Sequence, residues 1–147
     1  YFVNTFQNLI KFFYINNLNA PLMKTNLFII LRIIVAVILL QTLRFKFLAH
    51  PDSVYIFTKV GMEPWGRIGI GILELIASIL LFFPKRIWLG SGLAAGLMAG
   101  AVMMHLTMIG IEVKGDGGTL FYTAIITLIL SLIILWSKKK DIPFLNL

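Results

Sequence analysis

Four long apolar runs constrain this chain of 147 residues more than any other feature of its sequence. The runs cover residues 27–43, 68–83, 87–108 and 119–136. Each is near the ~20 residues that an α-helix needs to cross a hydrocarbon core of about 30 Å. Because backbone groups in lipid must hydrogen-bond internally, the runs predict helices and exclude open β-structure. The predicted fold class is therefore an all-α membrane protein, a bundle of four transmembrane helices.

The composition supports a bilayer rather than water as the solvent. The chain is 59% hydrophobic and only 13% charged, whereas soluble domains carry about 25% charged residues. A chain this short cannot bury so much apolar surface inside a soluble fold. The net charge is +7, but the basic residues flank the apolar runs, as in membrane proteins, so no nucleic-acid partner is predicted. With no cysteine, disulfides, thiolate nucleophiles and iron–sulfur clusters are excluded.

The chain is predicted to have three parts. Residues 1–22 form an N-terminal extension without sustained periodicity, and Met23, just before Lys24 and the first run, is the predicted initiator. An amphipathic interfacial segment or part of a signal segment are the alternatives for this extension. Residues 23–137 form the membrane domain, and residues 138–147 form a basic tail.

A short amphipathic helix is predicted between the first two spans. Within Pro51–Val60, apolar residues recur at helical spacing, and Asp52 and Ser53 are candidate caps. We expect this helix to lie on the membrane surface.

Basic flanks favour both termini in the cytoplasm, by six residues against five. The inner residues are then Lys24, Lys85, Arg86, Lys138, Lys139 and Lys140, and the outer ones are Arg44, Lys46, Lys59, Arg67 and Lys114.

Ionisable side chains at membrane depth are costly, so they are the first candidates for function. Glu74 and His105 interrupt the second and third runs towards the outer side, and Gln41 lies at similar depth in the first. Arg67, Gly71, Glu74 and Ser78 follow helical spacing and form one stripe.

We expect a polar pocket open to the outer face, made by Glu74, His105, Gln41, Lys46 and Arg67. Such a pocket suits a proton relay or a hydrogen-bonding site for a quinone-like or other amphipathic ligand; alternatively, Glu74 and a basic partner only lock the helices together.

Arg32 lies in the inner half of the first span and cannot face that pocket. It is expected to reach lipid phosphates or to bind exposed carbonyl groups.

In the third span, Gly92, Gly96 and Gly100 recur every four residues, which predicts close helix packing inside the bundle or at a homodimer face. In the fourth span, a stripe of hydroxyls is expected to bond to carbonyls of its own helix or to a neighbour. That stripe consists of Thr123, Thr127 and Ser131.

Several cofactors are disfavoured by the residues. A membrane haem usually takes two axial histidines, and only His105 lies in a span. No pair of histidines with metal-ligand spacing occurs, so no metal site is predicted. The glycines of Gly115–Gly118 precede no Lys-Ser/Thr, and those at Gly69 and Gly71 open a membrane helix, so neither is a nucleotide-binding loop.

Residues 23–136 resemble the DoxX-like family of small integral membrane proteins. The resemblance lies in Arg32, the Gln41–Phe47 and Phe57–Gly61 segments, Pro64–Leu75, Gly96–Ala101 with His105–Thr107, and Asp116–Gly118 followed by Leu120-Phe121. It implies a four-helix bundle in a prokaryotic cytoplasmic membrane, with Arg32, Lys46, Glu74 and His105 as family-type polar residues. Some relatives are subunits of quinone-linked sulfur oxidation or of redox complexes. Two functions follow as expectations: a redox-associated subunit with a redox protein partner, or a non-catalytic accessory protein acting through helix contacts.

Overall fold

Helices are the regular secondary structure of the part of the chain that the structure describes. The computed structural model describes the backbone of residues 2–143 and the side chains of residues 25–143. Its helices are α1 (Phe2–Phe47), α2 (Pro51–Lys59), α3 (Trp65–Leu80), α4 (Ile87–Met104) and α5 (Thr119–Ser137). Short 3-10 turns occupy Pro84–Arg86 and Lys139–Asp141, and a π-helical turn occupies His105–Ile109. The predicted all-α class is thus confirmed.

The chain divides into two compact units, Tyr1–Leu31 and Arg32–Leu147. The first unit belongs to α1, which is helical from Phe2 onwards. The second unit holds the rest of α1 and all the other helices. The start of translation at Met23 stays a prediction. Tyr1 and the last four residues of the predicted basic tail lie outside the described residues.

Three segments are long and apolar enough to span a membrane: Thr25–Phe47, Pro84–Ile109 and Thr119–Ser137. Their exposed sides carry large apolar side chains such as Ile33 and Ile129, a surface typical of membrane contact. Helix α3 has 16 residues, which corresponds to about 24 Å. It is shorter than the other three, so the fourth span stays a prediction.

Helix α4 packs against α3 on one side and α5 on another, and Gly90 makes the first contact close. A Cβ at Gly90 would lie 2.9 Å from the backbone nitrogen of Leu81 and 2.9 Å from Cβ of Leu80. The glycines that were predicted to pack closely are different ones, and most of them do not contact a neighbouring helix. Gly92 lies near Leu135, but Gly96 and Gly100 are exposed and face open space. Gly96 and Gly100 therefore do not pack closely inside the bundle, because they lie on a side of α4 where no described helix approaches them. The alternative of a homodimer face stays a prediction.

The predicted short helix is present as α2, capped by His50, whose ring nitrogen accepts from the Asp52 amide, and not by Asp52 or Ser53. Lys59 Nζ donates to the Ile109 carbonyl at 3.1 Å, and Lys114 Nζ donates to the Pro51 carbonyl at 3.3 Å. These bonds place α2 beside the turn that joins α4 to α5. We call this side of the bundle the α2 end.

Candidate functional site

The predicted polar stripe of α3 is buried along its whole length. Arg67, Gly71, Glu74 and Ser78 all belong to the buried side of the helix. A Cβ at Gly71 would lie 3.2 Å from two ring carbons of Phe47 and 3.5 Å from Cβ of Lys46. The absence of a side chain at Gly71 therefore lets the end of α1 approach the stripe.

Glu74 is the centre of the site and is only 2% exposed. The Lys46 ammonium nitrogen lies 2.8 Å from its Oε2 and 3.0 Å from its Oε1. The Thr42 hydroxyl donates to Oε2 at 2.8 Å. Both partners lie one turn apart on α1, so a single helix satisfies both oxygens of the buried carboxylate.

The hydroxyl of Thr42 has a second acceptor. Its oxygen lies 2.7 Å from the carbonyl oxygen of Leu39, as well as 2.8 Å from the Glu74 carboxylate. One hydroxyl hydrogen can serve only one of these acceptors at a time. With Glu74 ionised, Thr42 can donate to the carboxylate. With Glu74 protonated, the acid can donate to Thr42, and Thr42 can turn to Leu39. The Thr42 hydroxyl can therefore find a hydrogen-bond partner in either protonation state, whereas the Lys46 ammonium has an anionic partner only while Glu74 is ionised.

A second ion pair continues the site towards the α2 end. Arg67 Nη2 lies 2.7 Å from Glu63 Oε1, and Arg67 Nε lies 2.9 Å from both Glu63 oxygens. Arg67 Nη1 donates to the backbone carbonyl of Lys46. Thr42, Lys46, Glu63, Arg67 and Glu74 thus form one connected set, which we call the Glu74 network. Its two cations and two anions leave it without net charge when all four groups are ionised.

His105 lies apart from this network. It is buried at the start of the π-helical turn, and its Nδ1 is 2.7 Å from the carbonyl oxygen of Gly110. Its ring packs against Phe121, with the ring centroids 5.7 Å apart. These contacts tie the end of α4 to α5. The predicted grouping of His105 with Glu74 is not seen among these contacts, because His105 faces α5 and Glu74 faces α1.

Gln41 also lies outside the network, because it is exposed on α1 while its neighbour Thr42 faces Glu74. Arg32 Nε donates to the Leu81 carbonyl at 2.7 Å. That carbonyl is at the C-terminal end of α3, where helix carbonyls lack partners and a cation is favourable. Of the two expectations for Arg32, the structure shows carbonyl binding.

Asp116 organises the turn beside His105. Its Oδ1 accepts from the amides of Val113 at 2.8 Å and Gly118 at 2.9 Å, and its Oδ2 accepts from Leu120 at 3.0 Å. Desolvation alone would raise the pKa of the Asp116 carboxyl, but these three N–H donors, helped by nearby His105, hold it below its ordinary value. The carboxylate thereby caps the start of α5.

Other kinds of site receive little support from the described residues. Within residues 25–143, no group of three or more His, Asp or Glu side chains is placed to hold a metal ion. A shallow groove of about 720 Å³ runs along α2 and contains no member of the Glu74 network. Its walls are Ala49, Pro51, Val54, Tyr55, Thr58 and Lys59.

Comparison with family models, with curated proteins and with solved structures finds no match. The resemblance to DoxX-like proteins therefore stays a prediction from the motifs of the chain.

Sequence reasoning missed two members of the site. Thr42 is next to Gln41 in the sequence, and its spacing of four residues from Lys46 indicates a shared face. Glu63 lies outside the apolar runs. Its spacing of four residues from Arg67 is the available signal for that pair.

Proposed function

We propose that the chain is a small DoxX-like membrane protein of the prokaryotic cytoplasmic membrane and that Glu74 exchanges protons there as part of a redox-associated subunit. A buried carboxyl that hydrogen-bonds well in either protonation state carries this proposal. The Thr42 hydroxyl lies within hydrogen-bonding distance of both the Glu74 carboxylate and the Leu39 carbonyl, and this supports the proposal. Proton exchange would serve a quinone-linked partner, because quinone reduction takes up protons together with electrons.

We further propose that α3 is a fourth crossing helix. Arg67 at its start bonds to Lys46 of α1, and Leu81 just after its end accepts from Arg32 of α1. The two contacts lie at opposite ends of the α1 segment 32–46, which is about 21 Å long. Helix α3 therefore runs alongside most of a spanning helix, which favours a four-helix bundle with both termini on the same side of the membrane. The basic flanks favour the cytoplasmic side.

A proton fits Glu74 better than a quinone headgroup does. The carboxylate is 2% exposed, and Lys46 and Thr42 already occupy its oxygens. A bulky ring would have to separate α1 from α3 to reach it. A quinone-like ligand is accordingly assigned to a partner subunit or to the lipid-facing side of the bundle, with Glu74 supplying or accepting protons.

The experiment is an infrared pH titration of the purified protein in liposomes. We expect a carboxylic acid C=O band to appear reversibly as the pH is lowered, to shift in D2O, and to be absent in Glu74→Gln. Thr42→Val should move or broaden that band because the shared hydroxyl is lost. Thr107→Val is the matched control, since the Thr107 hydroxyl bonds to the Met103 carbonyl at 2.7 Å outside the network.

The absence of a titrating Glu74 would contradict this proposal. If Glu74 stays ionised over the whole pH range in which the protein is folded, it has no proton to exchange. The Lys46–Glu74 pair would then be a lock between two helices, and the proton-exchange proposal would be wrong.

The second candidate function is a non-catalytic accessory or assembly protein. Gly96 and Gly100 favour it, because both are exposed on α4 and a Cβ at either would meet open space. Small residues on a lipid-facing side let another helix approach closely. Gly96→Ile with Gly100→Ile should abolish partner capture or homodimer formation under this function while leaving the Glu74 titration unchanged.

A further inference from the structure

The two ends of the bundle differ in net charge. Helix α4 runs antiparallel to both neighbours, because Gly90 near its start packs against Leu80 of α3 and His105 just after its end packs against Phe121 of α5. The turn before α4 and the turn after α5 therefore lie at the same end of the bundle, opposite the α2 end, and we call it the basic end. Among the described side chains, its cations and its acid are Lys85, Arg86, Lys138, Lys139 and Lys140 against Asp141.

At the α2 end, cations and acids are equal in number and several of them are paired. Two pairs belong to the Glu74 network, and a third joins Lys114 Nζ to Asp52 Oδ1 at 3.4 Å. The described side chains there, with those of the network, are Arg44, Lys46, Lys59, Arg67 and Lys114 against Asp52, Glu63, Glu74, Glu112 and Asp116. The excess of positive charge therefore lies towards the basic end.

A shallow apolar groove on the exposed side of α5 reaches the basic end. Its volume is about 330 Å³, and its walls are Ile129, Leu132, Ile133, Trp136 and Ser137. These positions follow helical spacing over about 12 Å of the helix. Trp136 is 72% exposed, and Lys139 Nζ lies 4.5 Å from the centre of its ring. This distance is within the range of a cation–π interaction, so an ammonium group lies at the end of the groove.

The position of Trp136 relates this groove to the bilayer. Exposed tryptophans of membrane proteins lie at the level of the lipid headgroups. Trp136 and Lys139 are then at headgroup level, and the groove from Trp136 back to Ile129 lies beside the acyl chains. A molecule that fits both parts has an anionic group next to a hydrocarbon chain.

We propose that the basic end and the α5 groove bind an anionic phospholipid, with the phosphate beside Lys139 and one acyl chain along the groove. This inference is independent of proton exchange at Glu74. Basic clusters next to a membrane helix attract anionic lipids, with a gain of about fivefold in binding for each lysine near the surface. Lys85 and Arg86, at the same end, add to the positive potential.

The test is quenching of tryptophan fluorescence by brominated lipids, with the full chain in bilayers of mixed phosphatidylglycerol and phosphatidylcholine. Trp65→Phe with Trp88→Phe leaves Trp136 as the reporter at the basic end. Quenching of Trp136 should show that phosphatidylglycerol binds about fivefold more strongly than phosphatidylcholine. Trp88→Phe with Trp136→Phe leaves Trp65, which is 81% exposed at the start of α3, and its quenching should show no preference.

Charge variants of the Trp136 reporter protein identify the groups that select the lipid. Lys139→Gln with Lys140→Gln should remove the preference for phosphatidylglycerol. Arg44→Gln with Lys114→Gln is the matched control, because it removes two exposed cations from the α2 end and should leave the preference unchanged. An excess of inorganic phosphate should also leave it unchanged, since phosphate has no acyl chain to occupy the groove. Circular dichroism checks that every variant keeps its helix content.

Three results would each overturn the proposal. Equal quenching of Trp136 by the two brominated lipids would show that the groove does not select an anionic lipid. The same preference at Trp65 as at Trp136 would assign the selection to the whole protein surface. A preference that persists in the variant with Lys139→Gln and Lys140→Gln, or that inorganic phosphate removes, would show that these lysines do not bind a lipid headgroup.

Discussion

Lys46 of α1 bridges both carboxylate oxygens of Glu74 on α3, with Nζ 2.8 Å from Oε2 and 3.0 Å from Oε1. Because the carboxylate is almost fully enclosed, the pair must be judged against the cost of burying its charges. Replacing a whole buried ion pair by apolar groups can be neutral, whereas removing one partner leaves an uncompensated charge. Replacing one residue of the pair should therefore lower the free energy of unfolding more than replacing both residues.

Lys46→Met is expected to lower the free energy of unfolding by about 3 kcal/mol, since Glu74 loses its cation inside the bundle. Adding Glu74→Gln should recover a large part of that loss. Steric trapping in bicelles measures both values. Arg44→Met is the control, because Arg44 is exposed on the same turn of α1. Equal losses for Lys46→Met and Arg44→Met would show that the pair contributes nothing specific.

Gly71→Ala is expected to weaken the contact between α1 and α3 by about 1–2 kcal/mol, because overpacking forces neighbouring groups to move. The added Cβ would lie 3.2 Å from the Phe47 ring and 3.5 Å from Cβ of Lys46. The matched control is Gly69→Ala, where nothing lies within 4 Å of the added Cβ. The free energy of unfolding of each variant provides the comparison. A loss at Gly69 as large as that at Gly71 would mean that α1 does not rest on Gly71.

Much of this fold could be predicted from the sequence because each helix is marked by apolar residues that are close together along the chain. The apolar runs predicted the helices at 87–108 and 119–136 nearly to the residue, and the helical spacing of apolar residues within Pro51–Val60 predicted α2. The shared face of the residues from Arg67 to Ser78 also follows from helical periodicity alone, whereas their burial is a finding of the structure.

The partners of the polar residues could not be predicted in the same way. Depth along a helix placed Gln41 and His105 near Glu74, but the rotation of each helix about its axis decides which side chains meet. Gln41 turns outwards while Thr42 turns inwards, and His105 turns towards Phe121. Helix rotation depends on contacts between helices, such as Gly90 on Leu80, that no single run encodes.

Gly90→Ala is expected to be the most damaging glycine substitution in α4, with a loss of about 3 kcal/mol for an overpacked contact. Its Cβ would lie 2.9 Å from the Leu81 nitrogen and 3.0 Å from the Ala77 carbonyl oxygen, and backbone atoms cannot move aside as side chains can. Gly96→Ala, in open space, should leave stability unchanged or slightly raised. Thermal denaturation in the same detergent distinguishes the two. Comparable midpoints for both variants would contradict the close approach of α3 and α4.

Asp116→Asn is expected to destabilise the turn before α5 by about 1 kcal/mol at neutral pH, the typical value of a helix cap. The pKa of Asp116 is lowered in the folded protein, with desolvation outweighed by the N–H donors of Val113, Leu120 and Gly118 and by His105. A lowered pKa means that the stabilisation is fully present above the unfolded value of about 3.9 and is lost as the pH falls through the lower folded value. The free energy of unfolding, measured from about pH 6 to about pH 3, should therefore fall less steeply in Asp116→Asn than in the wild type. Glu112→Gln, an exposed acid in the same turn, is the control and should keep the wild-type slope. Identical slopes for all three proteins would show that the Asp116 carboxylate does not hold the turn.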